Sequence, residues 1–236
     1  MMMKWKKILM CYLLITPLVK AANVYTGIEI GGYRSNLILD YKVDVEGYPP
    51  YLNALNSSDS GCNMTLLLGI KKDIGNYYIA SELFVSKENL LRARSQEKNI
   101  RVYDVGHNTF HDLGTYRFQV DMLKTIGGGI LGGIKYNHSI RSFVSLDVVY
   151  TDFQLTTTTI DPLESIKHRK YLWGVAPGIG LEYAFNEKFS ARLSYKINIY
   201  EKFNAKESDF DEGFIKVNSH FKPFVHMLKI GLIYHF

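Results

Sequence analysis

The sequence predicts an all-β chain, an eight-stranded antiparallel up-and-down transmembrane β-barrel with short turns at one end and long loops at the other. Three observations carry that expectation. Segments of about ten residues alternate large apolar with small or polar side chains, the period of a strand with one oily face. The polar faces are glycine-rich with isolated ions of both signs, whereas the outer face of a soluble sandwich is rich in charge and poor in glycine. Short and long connections alternate along the chain, the layout of a barrel crossing a lipid bilayer.

The first residues are a separate object. Lys4, Lys6 and Lys7 precede an apolar stretch, Ile8 to Leu18, and Val19-Lys20-Ala21 supplies small residues at the −3 and −1 positions of a cleavage site. This is the layout of a secretory signal peptide. The stretch is too short to span a membrane and is interrupted by Pro17. The expected division is a signal peptide over 1–21 and a barrel domain over 22–236. Residues 1–21 hold four lysines and no acid, so the formal charge of +5 falls to +1 without them. The basic pI is thus largely a property of the targeting segment, and no nucleic-acid partner is expected. Cys11 lies in that segment, which leaves Cys62 alone and rules out an intramolecular disulfide or a cysteine-based metal site. No cofactor and no metal site is expected.

The strands follow in order. Phe224–Phe236 is the clearest: Phe224, His226, Leu228, Ile230, Leu232, Tyr234 and Phe236 share one face, opposite Val225, Met227, Lys229, Gly231, Ile233 and His235. Tyr171–Phe185 and Phe189–Tyr200 repeat the pattern, and Val24–Tyr33, Cys62–Lys72, Tyr77–Ser86, Leu123–Tyr136 and Arg141–Phe153 bring the count to eight. An even count closes every edge, as lipid requires. The fourth strand is the least defined, since Tyr116–Lys124 also reads as strand. Short turns fall at Asp73–Asn76, Asn137–Ile140 and Asn186–Lys188, and long loops at Arg34–Gly61, Lys87–Met122, Gln154–Lys170 and Glu201–Pro223. Pro177 lacks the N–H that a closed barrel needs, so a bulge or a place near the rim is expected there.

Two segments resemble a known group. Gly178-Ile-Gly-Leu-Glu-Tyr183, a short turn and Phe189-Ser-Ala-Arg-Leu-Ser-Tyr195 resemble the penultimate hairpin of the small OmpA/OmpX/Opa outer-membrane barrels. Ile230-Gly-Leu-Ile-Tyr-His-Phe236 resembles the closing strand of outer-membrane proteins, and Tyr25-Thr-Gly27 leading to Gly31-Gly-Tyr33 a first strand. The resemblance implies an outer-membrane location in a Gram-negative bacterium. It also implies an assembly signal at Leu232, Tyr234 and Phe236, read by the barrel-assembly machinery.

Alternation assigns ions to the lumen: the acids Glu29, Glu82, Asp147 and Glu182, and the bases Lys71, Lys135, Arg192, Lys196 and Lys229. Unpaired ions in a lumen just wide enough for side chains would cost several kcal/mol each, so they are expected to pair into a network that fills the pore. An ion pathway or gate is the alternative use of the same residues.

Catalytic readings are weak. His138-Ser139 lies in a turn without an acid to complete a triad, and Ser219-His220, near Asp209 and Asp211, matches no defined spacing. His107 and His111 stand four apart, but glycines nearby argue for a loop rather than a metal-binding helix. In Lys87–Arg101 the Glu88/Arg92 spacing suggests a short helix at the barrel mouth, with Arg92, Arg94, Lys98 and Arg101 either a surface-binding set for lipopolysaccharide phosphates or acidic host glycans, or a plain solvated face whose charge Glu88 and Glu97 soften. Tyr48-Pro-Pro-Tyr51 reads as a rigid exposed turn. The expected function is a non-catalytic surface protein that contacts outer-membrane lipid and lipopolysaccharide. Its loops would serve adhesion to host-cell surface molecules or envelope integrity. A small channel and an outer-leaflet lipid-modifying enzyme are the alternatives.

Overall fold

The computed structural model describes residues 23–45, 51–88, 96–104, 109–159, 164–210 and 215–236. The proposed signal peptide lies outside them. Ten strands form: β1 Asn23–Val45, β2 Tyr51–Ile74, β3 Tyr77–Lys87, β4 Gln96–Asp104, β5 Thr109–Lys135, β6 Ile140–Thr159, β7 Glu164–Ala184, β8 Phe189–Tyr200, β9 Phe203–Phe210 and β10 Ile215–His235. Eight of them close an antiparallel barrel in the order β1-β2-β3-β5-β6-β7-β8-β10, sealed by β1 against β10. The remaining two, β4 and β9, pair with the far ends of β5 and β10.

Neighbouring strands agree on which face is oily. On β3 burial alternates without a break from Tyr77 to Lys87. The exposed face of the barrel carries Ile30, Leu66, Leu68, Leu83, Ile130, Val144, Leu146, Ile179 and Ile230. Aromatic rings bound this belt. Tyr150 stacks on Tyr171 at 5.0 Å and meets Trp173 at 4.6 Å on one side. Phe189, Tyr234 and Phe236 form a chain of rings at 5.1 Å spacings on the other. Trp173 and Tyr183 are ten residues apart on β7, which for a tilted strand is about 25 Å of height, the thickness of a membrane core.

The inner face is built from aromatic rings laid over glycines. A Cβ at Gly69 would collide with the Tyr25 ring, one at Gly133 with Tyr78 and one at Gly180 with Phe143. These three glycines are therefore seats for rings from the neighbouring strand. The short turns have their own chemistry. Gly75 takes a φ of 60° between β2 and β3, a conformation glycine adopts without steric cost. In the next two turns Asn137 Oδ1 accepts from the Ser139 and Ile140 N–H groups, and Asn186 Oδ1 from those of Lys188 and Phe189. His138-Ser139 is accordingly an exposed turn.

Three expectations need correction. The segments read as long loops are largely strand. Beyond the rim, β2, β1, β10 and β9 continue as one paired arm, with Val43 opposite Tyr51 and Val45 opposite Ile215. A second arm joins β4, β5, β6 and β7, from Asp104 opposite Thr109 to Thr159 opposite Glu164. Pairing persists there because backbone hydrogen bonding does not depend on an oily face. The helix expected in Lys87–Arg101 is replaced over Gln96–Arg101 by β4. There Ile100, Val102 and Tyr103 favour a pleated backbone. Pro177 lies mid-strand, opposite Leu146, with no bulge: β7 pairs β8 at Val175–Ile199 and again at Gly178–Lys196 in the same register. The ladder simply lapses at Ala176–Pro177, where the N–H is missing.

Candidate functional site

The strands aim a dense set of polar groups into the lumen. At its centre the Arg192 guanidinium, 4% exposed, donates to Glu82 Oε1 at 2.5 Å and Glu182 Oε2 at 3.2 Å, with Glu29 Oε1 at 4.0 Å. Tyr25 donates its hydroxyl to Glu82 at 2.6 Å. Arg141 donates to Glu182 Oε1 at 2.9 Å, and His235 Nε2 lies 3.6 Å from the same oxygen. The guanidinium also lies against the Phe143 and Tyr25 rings at 5.2 and 5.7 Å, whose faces favour a cation.

Next along the axis, Lys196 donates to Asp147 Oδ2 at 2.7 Å and Lys229 to Thr65 Oγ1 at 2.8 Å. Both ammonium groups approach the Phe84 ring. Thr65 donates in turn to Ser86 at 3.1 Å. A hydroxyl layer follows, with Thr125, Thr151 and Tyr200 linked at 2.9 Å steps and Asn198 donating to Tyr200 at 3.0 Å. The cavity between Ser86, Glu88, Thr125, Asn198 and Lys229 measures about 10 Å³, room for about one water. Toward the arms the lumen turns apolar. Phe153 meets Tyr200 edge-on at 5.0 Å, Phe203 stacks on Phe221 at 4.6 Å, and Met122, Leu155, Leu172 and Val225 fill the gaps.

Eight of the nine ions assigned inward from the sequence are buried: Glu29, Lys71, Glu82, Asp147, Glu182, Arg192, Lys196 and Lys229. Lys71 lies against the Tyr78 ring at 5.9 Å. Lys135 sits at the short-turn mouth, 3.4 Å from Asp73 and partly exposed. Leu232 and Tyr234 lie on the outer face of β10 with Phe236 just past its end, and the Phe236 N–H donates to the Val24 carbonyl at 3.0 Å across the closing seam. Of the surface-binding set, Arg92 and Arg94 lie outside the described residues, while Lys98 and Arg101 belong to β4, opposite Tyr116 and Asp112. His107 and the Tyr48-Pro-Pro segment lie outside them too, and Ser219-His220 is a pair of consecutive residues in β10. Among the described residues no cluster of histidine, cysteine and carboxylates could hold a metal ion.

Sequence reasoning missed three contributors. Arg141 shares the parity of Asp147 on β6 and follows from the same alternation. Glu88, assigned to a surface helix, is buried, and its carboxylate oxygens find no hydrogen-bond partner among the described residues. The apolar layer was missed because Leu155, Phe203 and Phe221 fall in segments read as loops. Val149, Phe153 and Leu155 continue the inward parity of Asp147, which was the available signal. Outside the apolar belt, Arg169 grips Asp152 with Nε at 2.8 and 2.9 Å from the two carboxylate oxygens, which raises the guanidinium pKa further above its ordinary value.

No family model matches the chain, and no curated protein matches it. Among solved structures it is similar to the attachment invasion locus protein Ail of Yersinia pestis, at 13% identity over 90% of this chain and 98% of that one, with a TM-score of 0.40. It is also similar to the Neisserial surface protein A, at 11% identity over 92% and 100% of the two chains, TM-score 0.45. A major outer membrane protein of Thermus thermophilus matches at 12% identity over 90% and 99%, TM-score 0.48. All three are small eight-stranded outer-membrane barrels.

Proposed function

We propose that this chain is exported by its first 21 residues, inserts into the outer membrane of a diderm bacterium, and serves there as a sealed, non-catalytic surface scaffold. The observation that carries this reading is the filled lumen. An eight-stranded barrel leaves an interior about as wide as its side chains. Here that interior holds an ion network, a hydroxyl layer and an apolar layer in series. A solute would have to break buried ion pairs and then cross an oily constriction. The oily outer belt between aromatic girdles supports membrane insertion.

Recognition then belongs to what projects beyond the rim. The two strand arms supply surface for outer-membrane lipid, lipopolysaccharide and host-cell surface molecules. Of the basic residues, Lys98 and Arg101 belong to β4 of the second arm, and Arg92 and Arg94 precede them in the sequence. Among the described residues β4 pairs only with β5 and β9 only with β10, and the remaining edges suit strand addition by a partner. Leu232, Tyr234 and Phe236 serve as the signal read by the assembly machinery. Proteoliposome swelling tests the sealed lumen. Vesicles with the refolded protein should swell in iso-osmotic arabinose no faster than empty ones. Rapid swelling would replace the scaffold with a porin.

A further inference from the structure

At the arm-side rim Lys87 closes β3 and stands directly opposite Lys124 on β5. Both are exposed. They continue the outward rows of Leu83 and Val85 on one strand and Ile126 and Ile130 on the other. Residues opposed in a sheet have Cβ atoms about 5 Å apart, where like charges destabilise the pair. Among the described residues neither lysine has a carboxylate partner. The acid facing Lys124 on β6 is Asp152, but its carboxylate is taken by Arg169, whose side chain is 58% exposed. Lys87, Lys124, Arg169 and Asp152 taken together carry two excess positive charges. The cluster sits beside the Tyr150, Tyr171 and Trp173 rings that mark the edge of the oily belt.

We propose that Lys87 and Lys124, with Arg169 two strands from Lys124, hold the phosphate of an anionic lipid headgroup in the leaflet at this rim. The inference rests on the reading of the outer belt as lipid-facing. A phosphate supplies several acceptor oxygens and enough negative charge to relieve the repulsion through charge-assisted hydrogen bonds. A lipid-borne phosphate fits better than a free one, because the lysines crown oily rows along which acyl chains can lie.

Trp173, exposed in the adjacent ring cluster, provides the reporter. With Trp5→Phe it becomes the single tryptophan of the chain. The protein is refolded in phosphatidylcholine vesicles, and quenching is compared for phosphatidic acid and phosphatidylcholine, each brominated on its acyl chains. Brominated phosphatidic acid should quench more efficiently at equal mole fraction. Lys87→Gln and Lys124→Gln should each lower that preference by roughly fivefold, with the heat-modifiable gel mobility of the folded barrel kept. Lys188→Gln, at the opposite rim, should leave it unchanged. Equal quenching by the two lipids, or a preference that survives the double lysine variant, overturns the site. A preference erased by excess inorganic phosphate overturns its lipid-borne character. No quenching by brominated phosphatidylcholine would instead sink the lipid-facing reading, and the site with it.

Discussion

Arg192 is the hub of the lumen's largest ion cluster. Its guanidinium touches Glu82 and Glu182 and approaches Glu29, three carboxylates contributed by β3, β7 and β1. Removing one partner of a buried ion network strands the others, at a cost of about 3–5 kcal/mol. Arg192→Met should therefore lower stability by about that amount in urea titrations of the barrel refolded in lipid vesicles. Glu88 is the opposite case. Neither carboxylate oxygen has a hydrogen bond to lose among the described residues, so Glu88→Gln should cost less than about 1 kcal/mol in the same titration. A large loss there would reveal a partner that the geometry does not. The contrast also shows what was readable from the chain. Arg192 and Glu182 follow from a period of two counted along clear strands. Glu88 stands at the end of β3, where Leu90, Leu91 and Arg92 suggest a helix and conceal the inward parity it inherits from Ser86.

Strands depend on neighbours in a way that composition hides. Gly132 and Gly133 are adjacent on β5 with opposite surroundings. A Cβ on Gly133 would strike the Tyr78 ring, whereas one on Gly132 meets nothing within 4 Å. Gly133→Ala should destabilise by about 1–3 kcal/mol through overpacking. Gly132→Ala should be neutral or stabilise by about 0.5–1 kcal/mol, as a strand residue that loses less entropy than glycine. Equal losses in unfolding titrations of the two variants would refute the ring-over-glycine arrangement. The eight crossings were legible because lipid outside and ions inside impose an alternation that survives in sequence. The arms were not, because outside the belt neither face is forced to be oily. Leu37, Leu39, Tyr41, Val43 and Val45 do alternate with Ile38, Asp40, Lys42 and Asp44, a signal that was there to extend β1. The register of β7 across Pro177 was also not legible, since the missing N–H predicts a disturbance and the surrounding pairs absorb it.

For the whole molecule, closure and filling are one design. Eight tilted strands leave a lumen that side chains can span, so rings seated on glycines reach across and the ions meet at their centre. The closing seam is short on its last row, where the Phe236 N–H bonds to Val24 while its ring, 73% exposed, lies on the outer face. Phe236→Ala should thus leave refolding in bare vesicles nearly unchanged yet sharply reduce surface display in cells. Equal display of both proteins, judged by protease shaving, would argue against an assembly signal at this end. The sealed lumen itself is tested most directly by planar-bilayer conductance of the refolded protein, after its heat-modifiable gel mobility confirms the folded barrel. Silence, or rare and tiny openings, is expected across the full range of applied voltage. Large, stable steps that persist in purified monomer would contradict it, and the ion network would then line a pathway instead of blocking one.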